Sequence, residues 1–390
     1  AVDTLFENPN QNLISSKATQ NQIDNKQKEI QKENEDQINR VLNHAIQKSG
    51  PVHLNVPMEE PLYGMTTSLI EITHNSEPKF YHPNVDFKSF KKQWKKAEKK
   101  LILVGVNNPG VIDQQWLDLI DADPSVILMT ETTSNLRSSN AVNSIDSLIA
   151  PLELGNHLFF KTLKPQILLT FGGMVVSKKI KKLLRYHSPQ EHWHVDPFRA
   201  YDTYYCLTQH FSMTVNSFFS GLLKDYQAPK TNYKSLVLDQ YQSQLQKGNA
   251  YLRQIPFSDL KAFETIFSNL PDKIHLQLAN SSTVRYAQLF DMPKGAEVFS
   301  NRGTSGIDGS TATAVGASLI NKNPSLLITG DLSFFYDING LWNNHIPSNF
   351  RVILINNQGG GIFRILSGER DSPEYDTYFE TIHNRDARQI

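Results

Sequence analysis

The 390 residues are too many for one hydrophobic core, and at roughly 150 residues per domain two or three domains are expected. Lysine plus arginine balance aspartate plus glutamate at 39 each, so the sequence carries no electrostatic footprint for nucleic acid or an anionic membrane. The single cysteine, Cys206, excludes an intrachain disulfide and fits a reducing cytoplasm, and the apolar runs at 101–106 and 167–170 fall far short of a membrane span.

Residues 7–38 are rich in Asn, Gln, Lys and Glu and read as a solvated loop with a charged helix. Ile38, Val41, Leu42, Ala45 and Ile46 then recur at helical spacing until Gly50-Pro51 breaks the pattern. Residues 52–56 (VHLNV) read as a strand ended by Pro57, and 58–63 as its exit from a sheet. A polar connection over 71–86, with Pro78 and Pro83, marks a domain boundary. Residues 1–70 are thus expected to be the tail of an α/β domain whose front is missing.

A second α/β domain is expected over 80–250. A basic helix over 87–100 turns Phe87, Phe90, Trp94 and Ala97 inward. Strands at 101–106, 125–130, 166–170 and 191–195 alternate with helices at 114–120, 156–162 and 177–186. From 208 to 251 the pattern is helical throughout. Gly172-Gly173 ahead of the basic helix reads equally well as an anion site and as an ordinary strand-to-helix turn. His192 and His194 share one face of a strand near His187, but no acidic or cysteine partner accompanies them, so no metal centre is expected there.

A third domain is expected over 255–390. It opens with a helix over 256–270 and a strand over 274–278 that runs into Asn280-Ser281. A short strand at 298–300 precedes Asn301-Arg302, and a small-residue helix occupies 311–319. Two buried strands, 325–329 and 351–355, are joined by a crossover helix over 335–344. The fold class is therefore α/β, with doubly wound parallel sheets in successive domains. The polar last residues read as an amphipathic helix in progress, and one strand-helix-strand with a partial helix cannot close such a sheet. The chain is accordingly expected to be truncated at both ends.

In a parallel sheet the strand ends open on one edge, where α/β folds bind ligands. Asp331 and Asn357, each at a strand end, would stand side by side there and offer oxygens suited to Mg2+. The glycines at 359–361 would let backbone approach a diphosphate closely. Either half alone is more simply a helix cap and a turn; together they favour a cofactor. Arg285 and Arg302 on the same edge are natural forks for carboxylates, although an isolated Arg more often pairs with a structural acid. No Gly-x-Gly-x-x-Gly follows a first strand, which argues against a nicotinamide-binding Rossmann domain.

Taken together, Ser300-Asn301-Arg302-Gly303-Thr304-Ser305-Gly306-Ile307-Asp308-Gly309, Gly330-Asp331-Leu332-Ser333 and Asn356-Asn357-Gln358-Gly359-Gly360-Gly361-Ile362-Phe363 resemble the MenD family. Its members are thiamine diphosphate (ThDP)-dependent 2-succinyl-5-enolpyruvyl-6-hydroxy-3-cyclohexene-1-carboxylate synthases of menaquinone biosynthesis. Residues 50–63 (GPVHLNVPMEEPLY) also resemble the end of that family's pyrimidine-binding domain. The third domain then corresponds to the diphosphate-binding domain. The resemblance implies decarboxylation of 2-oxoglutarate and carboligation to isochorismate, with ThDP and Mg2+ (or Mn2+) as cofactors.

Carried over by motif, the resemblance assigns Asp331, Asn357 and the Gly359 carbonyl to the metal. Ser305, Gly306, Ile307, Asp308, Gly330, Leu332, Ser333, Ile362 and Phe363 would join Asp331 around the cofactor, and Ile362 and Phe363 would also line the substrate pocket. Asn280, Ser281, Arg285 and Arg302 would hold substrate carboxylates and hydroxyls. Ser177-Lys178-Lys179 matches a basic substrate motif in which the family often has Lys-Arg, so Lys178 and Lys179 join the substrate set. The family's activating glutamate lies before anything present here, and its active site forms between two subunits. The resemblance therefore implies a cytoplasmic bacterial enzyme, a homodimer or homotetramer without nucleic-acid partners or membrane insertion, of which this piece alone is inactive. The alternatives are another ThDP-dependent 2-oxoacid decarboxylase or acetolactate-synthase-like ligase, and a non-catalytic ThDP-binding relative.

Overall fold

The computed structural model describes residues 2–4, 19–57, 85–155, 158–365 and 372–389. The chain divides into two compact units, 1–84 and 85–390. In the first, strand β1 (Val2–Thr4) pairs in parallel with β2 (His53–Asn55), and among the described residues between them lies the helix Gln20–Lys48. That helix begins well before the apolar spacing at 38–46. Its polar first half is held by local side-chain bonds: Gln22 Oε1 accepts the Thr19 amide at 2.9 Å, and Gln20 with Asp24 and Lys26 with Glu29 bond at 2.9 Å each. The charged helix expected within 7–38 is thus present from Gln20 and runs on into the apolar stretch, while residues 7–18 lie outside the described residues. Residues 58–84, with the expected sheet exit and most of the polar connection, lie outside the described residues.

The second unit holds two parallel sheets. The first contains β3 (Lys100–Val104), β4 (Val126–Met129), β5 (Ala141–Val142), β6 (Ile167–Phe171), β7 (Glu191–Val195) and β8 (Gln209–Phe211) in the order β5-β4-β3-β6-β7-β8. Every residue of β3, β4 and β6 is buried, as a parallel sheet covered on both faces requires. Alternate side chains feed two cores. Ile102 and Val104 pack with Trp94, Trp193, Phe211 and Phe218, whereas Leu101 and Leu103 pack with Leu148, Ile180, Leu184 and Tyr233. Helices thus lie on both faces, which is doubly wound architecture.

One local expectation fails here, and one helix was not foreseen. The stretch 208–251 is not helical throughout: β8 comes first, and only then the helices Val215–Leu223 and Tyr233–Leu252. A three-residue strand is too short to show its period, and pairing with β7 forms it. The helix Ile145–Gly155 was hidden by Pro151 within it.

The second sheet contains β9 (His275–Leu278), β10 (Glu297–Phe299), β11 (Ser325–Gly330) and β12 (Phe350–Ile355) in the order β10-β9-β11-β12, again all parallel. Leu326 and Ile328 pack under the helices Asp259–Ser268 and Ser282–Ala287, and Leu327 packs under Ser310–Ile320. The crossover helix expected over 335–344 is instead Asp331–Tyr336 followed by one 3-10 turn, Ile338–Leu341. The bend lets the Asp337 carboxylate accept the Ala312 amide at 2.8 Å. It also brings Gly340 so close to Ala312 that a Cβ would lie 2.8 Å from that nitrogen.

The loop 131–137, beyond the end of β4, ties the two sheets together. Asn135 donates to the Val298 carbonyl at 2.8 Å and accepts the Val298 amide at 2.7 Å, and Arg137 donates to the Pro293 carbonyl at 3.2 Å. Beneath the first sheet, Lys100 is fully buried 3.2 Å from Asp123, and both bond Tyr226. Burial pulls the Lys100 ammonium down to about 8 against the opposing pull of Asp123. Asp123→Ala leaves that ammonium buried and unpaired, so urea unfolding is expected to show a loss of about 3–5 kcal/mol.

Candidate functional site

Parallel pairing of β11 with β12 sets Gly330 opposite Ile355, so the residues that follow both strands emerge together. They open onto a cavity of about 300 Å3 whose lining includes Gly330, Asp331, Leu332, Ser333, Asn357, Gly359, Gly360 and Gly361. Asn280 and Ser281, after β9, reach the same cavity. Asp331 as a residue is 1% exposed. One of its oxygens accepts the Leu332 amide at 2.7 Å and the other accepts the Gly359 amide at 3.1 Å. A carboxylate buried with so few donors is a strong oxygen ligand. Asn357 donates its amide nitrogen to Asp259 at 2.7 Å, which turns one face of its carboxamide and fixes the other as an oxygen acceptor.

Three non-glycine residues with positive φ sit in the loops at this edge: Ser281 (70°), Ser305 (63°) and Gln358 (64°). Ser281 pairs its φ with a ψ of −126°, a strained conformation for a residue with a Cβ. Gly359 adopts φ 153°, and a Cβ there would lie 2.6 Å from the Glu380 carbonyl oxygen. Its neighbour Gly360 donates its amide to that same oxygen at 2.5 Å. Only glycine lets the chain pass so close to that carbonyl.

The expected residues divide among three places. Asp331, Asn357, Gly359, Gly330, Leu332, Ser333, Ile307, Ile362, Phe363, Asn280 and Ser281 line the cavity just described. Of the loop beside it, Gly306 accepts the Asn280 carboxamide at 2.7 Å, while Ser305 and Asp308 flank the turn without lining the cavity. A Cβ on Gly306 would meet the Asp308 carboxylate at 2.5 Å. Arg302 donates to the Asn280 side-chain oxygen at 2.6 Å and lines a second cavity of about 680 Å3, shared with Gly172, Gly173, Lys181 and His194. Arg285 donates to the Ser281 carbonyl at 2.6 Å. Burial lowers both guanidinium pKa values, and for Arg302 the neighbouring Arg285 lowers it further.

Lys178 and Lys179 stand apart from both cavities: Lys178 is exposed, and Lys179 pairs with Glu153 at 2.5 Å. The glycines at 172–173 bind no helix terminus directly. Gly173 makes room for Gly105, whose added Cβ would fall 1.9 Å from the Gly173 carbonyl oxygen, and the helix begins only at Lys178. His192 and His194 both bond the Thr170 hydroxyl, at 2.9 and 2.8 Å, and burial lowers the pKa of each. Among the described residues no group of His, Cys, Asp or Glu side chains could hold a metal by itself, which leaves Asp331 with an amide and a carbonyl as the candidate metal ligands.

Sequence patterns missed the residues that close the cavity from elsewhere. Asp259 and Phe263 come from the helix before β9, Tyr286 from the helix after it, and Tyr378, Phe379 and Thr381 from the last described segment. His383 places its Nε2 at 3.3 Å from Asp331. None lies in a motif, so nothing in the chain order announced them.

No family model matches the chain. Curated relatives do. A 2-succinyl-5-enolpyruvyl-6-hydroxy-3-cyclohexene-1-carboxylate synthase of Flavobacterium psychrophilum is 46% identical over 367 residues, covering 93% of this chain and 65% of the relative. A synthase of the same name from Christiangramia forsetii is 46% identical over 390 residues, covering 97% and 67%. One from Porphyromonas gingivalis is 36% identical, covering 88% and 61%. The chain thus spans about two thirds of the length of the curated relatives it matches. No described helix is long and apolar enough to cross a membrane.

Gly359→Ala must displace the Glu380 carbonyl. Thermal unfolding is expected to fall by several degrees, the equivalent of about 1–3 kcal/mol.

Proposed function

The chain belongs to the 2-succinyl-5-enolpyruvyl-6-hydroxy-3-cyclohexene-1-carboxylate synthase family, and from that premise we propose that it supplies the diphosphate-binding and substrate-binding faces of a ThDP- and Mg2+-dependent carboligase. In this reading 2-oxoglutarate loses its C1 carboxyl as CO2, and a new carbon–carbon bond joins the remaining four-carbon unit to isochorismate. The observation that carries the proposal is the buried Asp331 carboxylate, set beside Asn357 and Gly359 at the mouth of one cavity. When bound, ThDP supplies the carbon nucleophile and the electron sink for decarboxylation.

The residues fit that group. Asp331, the Asn357 side-chain oxygen and the Gly359 carbonyl would hold Mg2+, a hard-oxygen set with positions left for phosphate and water. Gly359, Gly360 and Gly361 line the same cavity and would bring backbone up to the diphosphate. Ile307, Leu332, Ile362 and Phe363 form an apolar wall that keeps water from the reacting carbon. Asn280 and Ser281 would orient substrate, and Arg285 and Arg302 would pair with its carboxylates by charge-assisted hydrogen bonds. The glutamate that activates the cofactor and the opposite wall of the site belong to the pyrimidine-binding part of another subunit in this reading, so the working protein is a cytoplasmic homodimer or homotetramer.

Calorimetry with ThDP, with and without Mg2+, tests the proposal on this chain and on a version extended to the length of its relatives. Mg2+-dependent binding is expected at least in the extended form, and Asp331→Ala is expected to abolish it; ThDP affinity indifferent to Mg2+ and to Asp331 would overturn the assignment. Turnover of 2-oxoglutarate in preference to pyruvate separates this reading from an acetolactate-synthase-like ligase. Arg302→Ala is expected to raise KM for a dicarboxylate about tenfold or more, a loss of at least about 1.4 kcal/mol, and to leave ThDP affinity nearly unchanged.

A further inference from the structure

The cations expected to receive substrate carboxylates already face an anion of the chain's own. Glu131 follows β4 and is 2% exposed. Its oxygens accept the Val176 amide at 2.6 Å and the Ser177 amide at 2.7 Å, the two residues that lead into the helix Lys178–Tyr186. Its backbone is fixed as well: the Ser134 hydroxyl accepts the Glu131 amide at 2.9 Å and donates to the Val104 carbonyl at 2.8 Å. The carboxylate therefore cannot swing away from its neighbours.

The charges of Lys181 in the helix Lys178–Tyr186, Arg285 in the helix Ser282–Ala287 and Arg302 in the loop after β10 act on the same interior as Glu131, without closing an ion pair with it. Asp146, from the helix Ile145–Gly155, adds a second carboxylate, bonded to the Ser177 hydroxyl, and the buried Tyr204 phenol lies beside them. Asp146 also meets the charges of Arg285, Lys179 and Glu153, and of the cations near Glu131 only Arg285 and Arg302 bond residues of the cofactor cavity, Ser281 and Asn280.

We propose that Glu131 is the resident counter-anion of the Arg285–Arg302–Lys181 cluster and takes up one proton from solvent when a dicarboxylate substrate binds there. The proposal rests on the dicarboxylate reading of this face given above. A dianion brought to the same guanidinium groups repels the fixed carboxylate across a poorly solvated interior, where like charges cannot both remain ionised cheaply. Protonation gives up one of two amide hydrogen bonds, a smaller loss than keeping three negative charges together. Burial, opposed by the two amides, already holds Glu131 at about 7, so neutral pH suffices for the exchange. Burial keeps the nearby His192 and His194 below their usual range, so neither supplies the proton-binding group.

The sign follows from linkage. With the free-state value near 7 and the bound-state value higher, affinity for the dianion is level below pH 7 and falls as pH rises above it, by up to about tenfold per pH unit. The test is calorimetric titration of the protein, extended to the length of its relatives, with 2-oxoglutarate and with isochorismate at pH 8 in buffers of different ionisation enthalpy. Uptake approaching one proton per ligand is expected for the dianion seated at Arg302, falling to zero in Glu131→Gln, whose affinity at pH 8 should exceed that of the unaltered protein. Binding with no proton uptake, or uptake that persists in Glu131→Gln, overturns the proposal and leaves the dicarboxylate site standing. Failure of both dianions to bind at any pH overturns the site itself. Should Glu131→Gln fail to fold, the proton count of the unaltered protein decides alone: zero at pH 8 rejects the role given to Glu131.

Discussion

Parallel strand pairing is the constraint on which this molecule depends. Gly330 faces Ile355, and Leu276 faces Leu326, in one register across the second sheet. Because all four strands run the same way, residues separated by tens of positions in the chain leave the sheet at one edge: Asn280-Ser281 after β9, Asn301-Arg302 after β10, Asp331 after β11 and Asn357 after β12. Each loop must turn sharply to begin the next element. Positive φ at Ser281, Ser305, Gln358 and Gly359 is the local cost of doing so. The metal and diphosphate site proposed for this edge rests on these turns and on the buried Asp331 carboxylate.

A second constraint is the treatment of buried charge. Lys100 and Asp123 share Tyr226 beneath the first sheet and have no access to ligand. Their pairing is structural, since either ion alone would be stranded in an apolar core. Glu131 is buried as deeply, but two of the cations near it, Lys181 and Arg302, line the second cavity. Burial raises one carboxylate and the neighbouring ammonium lowers the other: Glu131 moves up to about 7, whereas Asp123 moves down despite its desolvation. What separates a scaffold charge from a responsive one here is the number of partners that a ligand can reach.

The first sheet and the second are also joined through the loop that begins at Glu131. Asn135 forms a two-way bond with Val298, as if it were one more strand residue, and so fixes the end of β4 against β10. The segment that positions Glu131 is the same one that holds the sheets in place, which makes the arrangement of Arg302 relative to Lys181 a property of the whole second unit.

The sequence by itself determined the alternation of strands and helices and the residues that end the strands. Fully buried parallel strands are written as short apolar runs such as KLILV and SLLITG, and glycine, Asp and Asn mark where they stop. That was enough to anticipate Asp331, Asn357, Gly359 and Asn280 at one edge. Short elements escaped it: β5 and β8 exist only because a neighbouring strand pairs with them, and Pro151 disguised a helix. Tertiary structure alone decided which cations belong together. It sent Lys179 to Glu153, set Lys181 within the electrostatic reach of Glu131, and brought Asp259 to Asn357 from 98 positions away. Periodicity records what lies on one element, whereas these pairings depend on distances between elements, which no local pattern in the chain encodes.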